Sequence, residues 1–310
     1  MRIHVDTDFA GDTDDAAALA MVLGWPDAEL VGVTTVADPD GRRAGYASHL
    51  LHLAGRGDVP VAAGAGTSRT TGRAMGGLPD HGAYWGAQEV PARPDRPGAA
   101  TALLAASIDR GATVVAIGPC TNLAVLEEAR PGLLQSAQVV VMGGWVAPAP
   151  GGFPPWGPAM DWNVQCDPVA TLTVLAACSR LTMVTLTAAM GAHLRRRHLP
   201  RLEASGPVGR LLARQARAHG DEHDMSSLSR AHHGLPADVL NFQWDPVACA
   251  VALGWSGAPA VATRLRPAFT DGALHFEMGA GTPADVVLSV DGPAFEDRWL
   301  DAVAAVDRAG

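Results

Sequence analysis

The sequence predicts an α/β fold, a single domain over residues 1–310 with a mainly parallel central sheet flanked by helices around a Rossmann-like core. Three observations carry this reading. Short β-branched runs alternate with Ala- and Leu-rich stretches of helical length, the rhythm of βαβ units. Hydrophobic residues are 48% of the 310-residue chain and charged residues 18%, close to globular averages, so a packed core is expected. A chain of this length buries most of its unfolded surface as one α/β domain, and no internal repeat or heptad argues for another plan.

The elements follow in order. Ile3 to Asp8 reads as a strand and Asp14 to Leu23 as the helix after it; Leu30 to Val36 with Ala44 to Ala54, and Thr113 to Ile117 with Leu123 to Ala129, repeat the unit. Val139 to Met142 and Leu181 to Leu186 add strands. In such sheets ligands bind beyond the carboxyl ends of the strands. Three stretches read as loops: Gly64 to Gly86, ending in Asp80-His81-Gly82-Ala83-Tyr84-Trp85-Gly86; Pro148 to Pro158; and the polar segment His219 to Pro236, which carries His219, His223, His232 and His233. Loops longer than ~12 residues in compact domains are often lids or binding segments.

Charge and composition exclude several functions. A formal charge of -9 disfavours a nucleic-acid duplex or an anionic membrane, since both require a basic face. A small ligand or a cation fits better. The chain contains no Lys, which removes Schiff-base catalysis and the phosphate loop that ends in Lys. Cys120, Cys166, Cys178 and Cys249 form no CxxC pair and read as buried thiols of a reducing compartment. The amino terminus enters a strand at once, and no apolar stretch reaches the ~18 to 20 residues of a spanning helix, so cytoplasmic residence is expected.

The segment Asp6-Thr7-Asp8-Phe9-Ala10-Gly11-Asp12-Thr13-Asp14-Asp15 places five carboxylates in ten residues at a strand-to-helix turn. Capping by Asp12 or Thr13, and the positive helix end beside Asp14 and Asp15, account for part of this charge. Asp6 and Asp8 lie at a strand end, where no cap is needed, so a hard divalent cation is the natural neutraliser. An EF-hand loop is excluded because Ala10 and Ala17 stand where it needs oxygen ligands. A phosphatase of the haloacid dehalogenase type shares the Asp-x-Asp, but its Gly-Thr continuation and its Lys are missing.

These residues resemble the inosine-uridine preferring nucleoside hydrolase family, whose amino-terminal signature sets Asp-x-Asp before a Gly-containing loop and a final Asp-Asp. Further matches follow in order: Val33-Thr34-Thr35-Val36, Gly118-Pro119-Cys120-Thr121-Asn122-Leu123, Val141-Met142-Gly143-Gly144, Met160-Asp161-Trp162-Asn163 with Asp167-Pro168, and Trp244-Asp245-Pro246. The resemblance implies that Asp8, Asp15, Asp245 and the backbone carbonyl of Thr121 bind calcium and that Asp8 is also the general base. It implies substrate contacts from Asp14, His81, Trp85, Met142, Asp161 and Asn163, with Asp161 in place of the commoner Glu. Calcium accepts six to eight oxygens, so it can gather a water and two ribose hydroxyls. An oxocarbenium-like transition state then benefits from nearby carboxylates.

Three departures shape the expected chemistry. Ala37-Asp38-Pro39-Asp40 replaces a Gly-Asn, which makes Asp38 a candidate contact near the base. Thr187 stands where an Asp is familiar. Trp244 replaces the His that precedes the metal-binding Asp, a change that resembles the purine-specific branch, in which two aromatics sandwich the base. Trp85 is the expected partner, with Tyr84 as the substitute, and Trp244 counts as catalytic because a π-rich face favours a protonated purine. The expected activity is hydrolysis of ribonucleosides, purine ribosides first, by a homodimer or homotetramer that binds a small nucleoside and no nucleic acid or membrane. Two rivals stand beside it. One is a hydrolase of pyrimidine or other N-ribosides that uses a loop His as acid; the other is a calcium-dependent nucleoside-binding protein without turnover.

Overall fold

The computed structural model describes residues 1–309. Nine of its strands form one twisted sheet: β1 (Arg2–Thr7), β2 (Glu29–Thr35), β3 (Val61–Ala63), β4 (Thr113–Ala116), β5 (Gln138–Met142), β6 (Arg180–Val184), and the later β9 (Ala260–Thr270), β10 (Ala273–Met278) and β11 (Thr282–Val287). Strands β7 (His193–Arg195) and β8 (Val239–Phe242) pair separately as a two-stranded antiparallel ribbon. The large sheet runs β10-β9-β11-β6-β5-β4-β1-β2-β3. Strands β1 to β6 pair in parallel and β11 joins parallel to β6, whereas β9 and β10 fold back antiparallel. The α/β architecture with a mainly parallel sheet is therefore as predicted, and the antiparallel hairpin at one edge is an addition that alternation alone does not reveal.

Burial explains the order. Residues 3–7 of β1 are all buried, as are all four of β4, which is how central strands covered on both faces read. The first helix, Asp14–Gly24, is rich in Ala and lies against the helices Trp244–Ala252 and Gly292–Ala309. A side chain on Gly24 would meet the Ala302 carbonyl oxygen at 1.9 Å, so the close crossing depends on glycine there. Trp299 is fully buried under the same helix and donates its indole N–H to the Ala17 carbonyl at 3.1 Å. This packing fixes the helix that carries Asp14 and Asp15.

The segment His219 to Pro236 is not a loop. The helix Pro207–Glu222 runs through its start and the helix Met225–Ala231 follows. Apolar residues of the first, including Val208, Leu211, Leu212 and Ala216, are buried in the main core, so tertiary burial supplied what the polar run obscured. Among the described residues no helix is long and apolar enough to cross a membrane.

Candidate active site

The carboxyl ends of β1, β4 and β5 meet under a cavity of about 660 Å³. After β1 the chain passes through Asp8 and turns at Ala10, which has a left-handed backbone (φ 69°), before the helix begins at Asp14. Gly118, just beyond β4, backs directly onto this turn: a Cβ there would lie 2.6 Å from the Asp8 amide nitrogen. Arg43 ties the turn from the other side. Its buried guanidinium donates to the carbonyls of Ala37 (2.9 Å), Asp8, Phe9 (3.0 Å) and Gly77 (3.0 Å).

Asp14, Asp15 and Asp245 have carboxylate oxygens within 4.8 Å of one another, and all three are buried. Thr7 donates its hydroxyl to Asp15, and the Asp245 amide reaches Asp14 at 3.4 Å. Burial first, and then mutual repulsion, pushes all three well above the ordinary carboxylate range. Burial also raises Asp8, while the Arg43 charge and the Trp162 indole N–H at 3.0 Å hold it back. Four acids of this kind, with oxygen as their only donor, fit a hard divalent cation. Asp6 lies beneath them. Its register beside Thr34 on β2 brings one oxygen to the Thr34 hydroxyl (2.5 Å) and to the Asn122 amide (2.7 Å). The other oxygen is buried without a partner, and burial pushes this carboxyl up to about 7.

The next wall is built from β5 and the segment after it. Asp161 accepts from the Gly144 amide at 2.5 Å and caps the helix Trp162–Cys166 through the Val164 amide at 3.2 Å; burial pushes it up to about 6. Asn163 donates to the carbonyls of Ile117 (3.2 Å) and Met142 (3.1 Å). These groups line the cavity together with the half-exposed Trp162.

The opposite end is aromatic. Trp244 stacks on Phe242 with centroids 4.5 Å apart and planes at 22°, and Trp156 closes on both, 6.4 Å from Trp244 and 5.4 Å from Phe242. Met225 and Leu228 complete this apolar wall. Beside it, His219 faces Asp12 at 3.2 Å and the Leu240 carbonyl at 2.8 Å, and His223 packs against the His219 ring. Burial alone would raise Asp12, but His219 overrides it and the carboxyl is lowered. For His219, burial lowers and the Asp12 charge raises, with a net rise.

Asp8, Asp14, Asp15, Met142, Asp161, Asn163, Trp244 and Asp245 all line this one cavity. Four expected residues do not. Thr121 is buried with its hydroxyl on Asp167 at 2.7 Å, and the residue after β4 that borders the cavity is Ile117, whose carbonyl accepts from Asn163. Asp38 is tied to the first turn of the helix Arg42–Leu53, accepting from the amides of Arg43 (3.0 Å) and Ala44 (2.9 Å) and from the Thr35 hydroxyl (2.7 Å). His81 is spent between the Tyr46 hydroxyl (2.7 Å) and the Gln88 carbonyl (2.9 Å). Trp85 is buried on Tyr46, 4.4 Å between centroids, so it does not face Trp244; Tyr84 bonds Glu222 at 2.6 Å. Trp244 instead packs directly on Phe242 and against Trp156. Sequence reasoning missed Arg43, Asp12, Ile117 and Asn241. Asn241 alternates with the buried Leu240 and Phe242 in β8 and bonds Asp12 at 2.6 Å and Thr13 at 2.8 Å, a long-range pairing that no local pattern announces.

A parallel sheet whose central strands end in a buried carboxylate centre, beneath a cavity with an aromatic end, defines an α/β enzyme of small polar substrates. The profile described as inosine-uridine preferring nucleoside hydrolase matches residues 3–297, and the chain belongs to that family of enzymes. It is 32% identical over 225 residues to the pyrimidine-specific ribonucleoside hydrolase RihA of Shewanella baltica, covering 69% of this chain and 68% of that one. Among solved structures it is similar to the purine-preferring ribonucleoside hydrolase of Gardnerella vaginalis (TM-score 0.79, 19% identity, 100% of both chains). A plant nucleoside hydrolase superposes with a TM-score of 0.78 at 21% identity over 98% of both chains. At these identities the structural likenesses speak for the fold alone.

Proposed function

We propose that the protein hydrolyses the N-glycosidic bond of neutral ribonucleosides, purine ribosides in preference, with calcium held by Asp8, Asp14, Asp15 and Asp245. The observation that carries this reading is the shared cavity: the carboxylate centre and the Trp156, Phe242 and Trp244 wall line one space. Calcium bound there supplies a Lewis acid that lowers the pKa of water and draws in ribose hydroxyls. Ile117 borders the same cavity, and its carbonyl would add a ligand oxygen in place of the Thr121 carbonyl. Asp8 takes the proton of the attacking water, and Asp161 and Asn163 orient the ribose. The aromatic wall holds the base and favours its protonated form. Six acids line the cavity (Asp8, Asp12, Asp14, Asp15, Asp161 and Asp245), and Arg43, its one guanidinium, is already committed to four carbonyls. A 5'-phosphate therefore meets repulsion from these acids with no free guanidinium to pair it, which favours nucleosides over nucleotides.

A second reading, pyrimidine ribosides, is favoured by the similarity to RihA and by the two histidines at the base end. One assay separates the readings: released ribose from inosine, adenosine, guanosine, uridine, cytidine and inosine 5'-monophosphate, with and without chelator. Purine ribosides cleaved at least about tenfold better than uridine, the size of a modest leaving-group effect, support the first reading. A preference for uridine supports the second. Calcium-dependent binding without product from any of them would leave only a nucleoside-binding protein.

A further inference from the structure

A base leaving a ribose needs a proton, and the cavity holds few groups able to give one. Asp8, Asp14, Asp15 and Asp245 form the carboxylate centre, Asp161 accepts from two backbone amides, and Arg43 does not deprotonate. Asp12 spends one oxygen on Thr13 and Asn241 and turns the other to His219. His219 is spent as well. The Leu240 carbonyl, 2.8 Å from Nδ1, can only accept, so Nδ1 carries a hydrogen, and Nε2 faces the Asp12 carboxylate at 3.2 Å.

His223 differs from all of these. It caps the helix Pro207–Glu222 one turn after His219, with its amide on the His219 carbonyl at 3.0 Å. Its ring lies 4.3 Å from that of His219, it borders the cavity, and it is exposed to solvent. Among the described residues its side chain makes no hydrogen bond. Two rings of the aromatic wall, Phe242 and Trp244, come from β8 and the helix that follows it, and the same strand supplies Leu240, which fixes His219. The two histidines are thus tied to the end of the cavity where the base would lie.

We infer that His223 is the general acid of the reaction, protonating the departing base, and that His219, locked by Leu240 and Asp12, is the positioning residue on which its ring rests. This rests on the reading of the protein as a nucleoside hydrolase. The C1'–N bond breaks and its electron pair stays with the base. A ring nitrogen of the base takes the proton of the His223 imidazolium. Water adds to C1' and gives its proton to Asp8. His223, now neutral, recovers a proton from solvent, to which it is open, and Asp8 releases the water's proton to solvent, so that both groups return to their starting states. The sum is riboside plus water to ribose plus base.

The test compares two leaving groups. Inosine needs a proton on its base; 4-nitrophenyl β-D-ribofuranoside releases a stable anion and needs none. His223→Gln is expected to lower kcat for inosine by about 100-fold or more, the usual share of a general acid, and to change kcat for the nitrophenyl riboside by less than about threefold. His219→Asn is expected to lower kcat for inosine with KM unchanged and to spare the nitrophenyl riboside. Equal losses on both substrates, or an inosine kcat that survives His223→Gln, would overturn the assignment. His223 is exposed, so its variant folds even where the buried His219→Asn does not. A wild-type protein inert toward both ribosides overturns the nucleoside hydrolase reading itself, and this inference with it.

Discussion

At one end of the cavity three of the four central acids are neighbours in sequence, since Asp8 follows β1 and Asp14 and Asp15 open the next helix, and Asp245 alone arrives from the far end of the chain. At the other end Trp156, Phe242, Trp244, His219 and His223 come from three separate stretches of chain and meet only through packing and a few long hydrogen bonds, such as Asn241 to Asp12. The difference teaches where chemistry and selectivity reside. The first end is a rigid turn at the foot of a buried parallel sheet, which fixes charge. The second is assembled on a small ribbon and helix ends, where a substitution changes the occupant without disturbing the sheet.

The sharpest way to break this division is the ribose itself. A site that pairs a hydroxyl with a cation, Asp161 and Asn163 leaves those groups unpaired when the hydroxyl is gone, a penalty of ~10,000-fold or more. Inosine is therefore expected to exceed 2'-deoxyinosine in kcat/KM by that order, and equal values would sink the assignment of Asp161 and Asn163. Asp8→Asn comes next. Loss of a general base costs ~100- to 10,000-fold in kcat, and the variant is expected to keep its fold because Arg43 binds the Asp8 carbonyl rather than its carboxylate. Near-normal turnover in a folded Asp8→Asn protein ends that role.

A third test reads the rigid end through pH. Burial holds Asp161 at about 6 against an ordinary 3.8. The folded value lies above the unfolded one, so the fold binds this proton more tightly; the contribution to stability is full below the unfolded value and is lost as pH rises through about 6. Relative to Asp161→Asn in calcium-free buffer, the wild type is expected to lose about 2 kcal/mol of unfolding free energy between about pH 4 and pH 7. Urea denaturation at both pH values measures it, and a pH-independent difference contradicts it.

The smallest effect belongs to the aromatic end. Stacking is worth ~1 to 3 kcal/mol per base, so Trp244→Ala is expected to lower turnover of inosine by about 10- to 100-fold. The loss should fall on kcat more than on KM, because the indole face favours the protonated base more than the neutral one. An unchanged kcat with a raised KM reduces Trp244 to a binding surface.

The parallel part of the sheet, its strand–helix rhythm and the acid-rich turn from Asp6 to Asp15 are legible in the amino-acid sequence, whereas the edge hairpin and the approach of Asp245 to Asp14 are not. The legible features are local: β-branched runs name strands that are buried on both faces, and five acids in ten residues have no ordinary reason to cluster. Only the tertiary structure decided which aromatic faces Trp244, and it chose Trp156 and Phe242 because Trp85 is buried on Tyr46. It also engaged Asp38 and His81 in hydrogen bonds away from the cavity, set Ile117 rather than Thr121 on the cavity wall, and wound the His219 segment into a helix. The physical reason is range. Strand pattern and charge density are written over a few residues, whereas the partner of a buried ring or carboxylate is settled by helices and strands that meet from opposite ends of the chain.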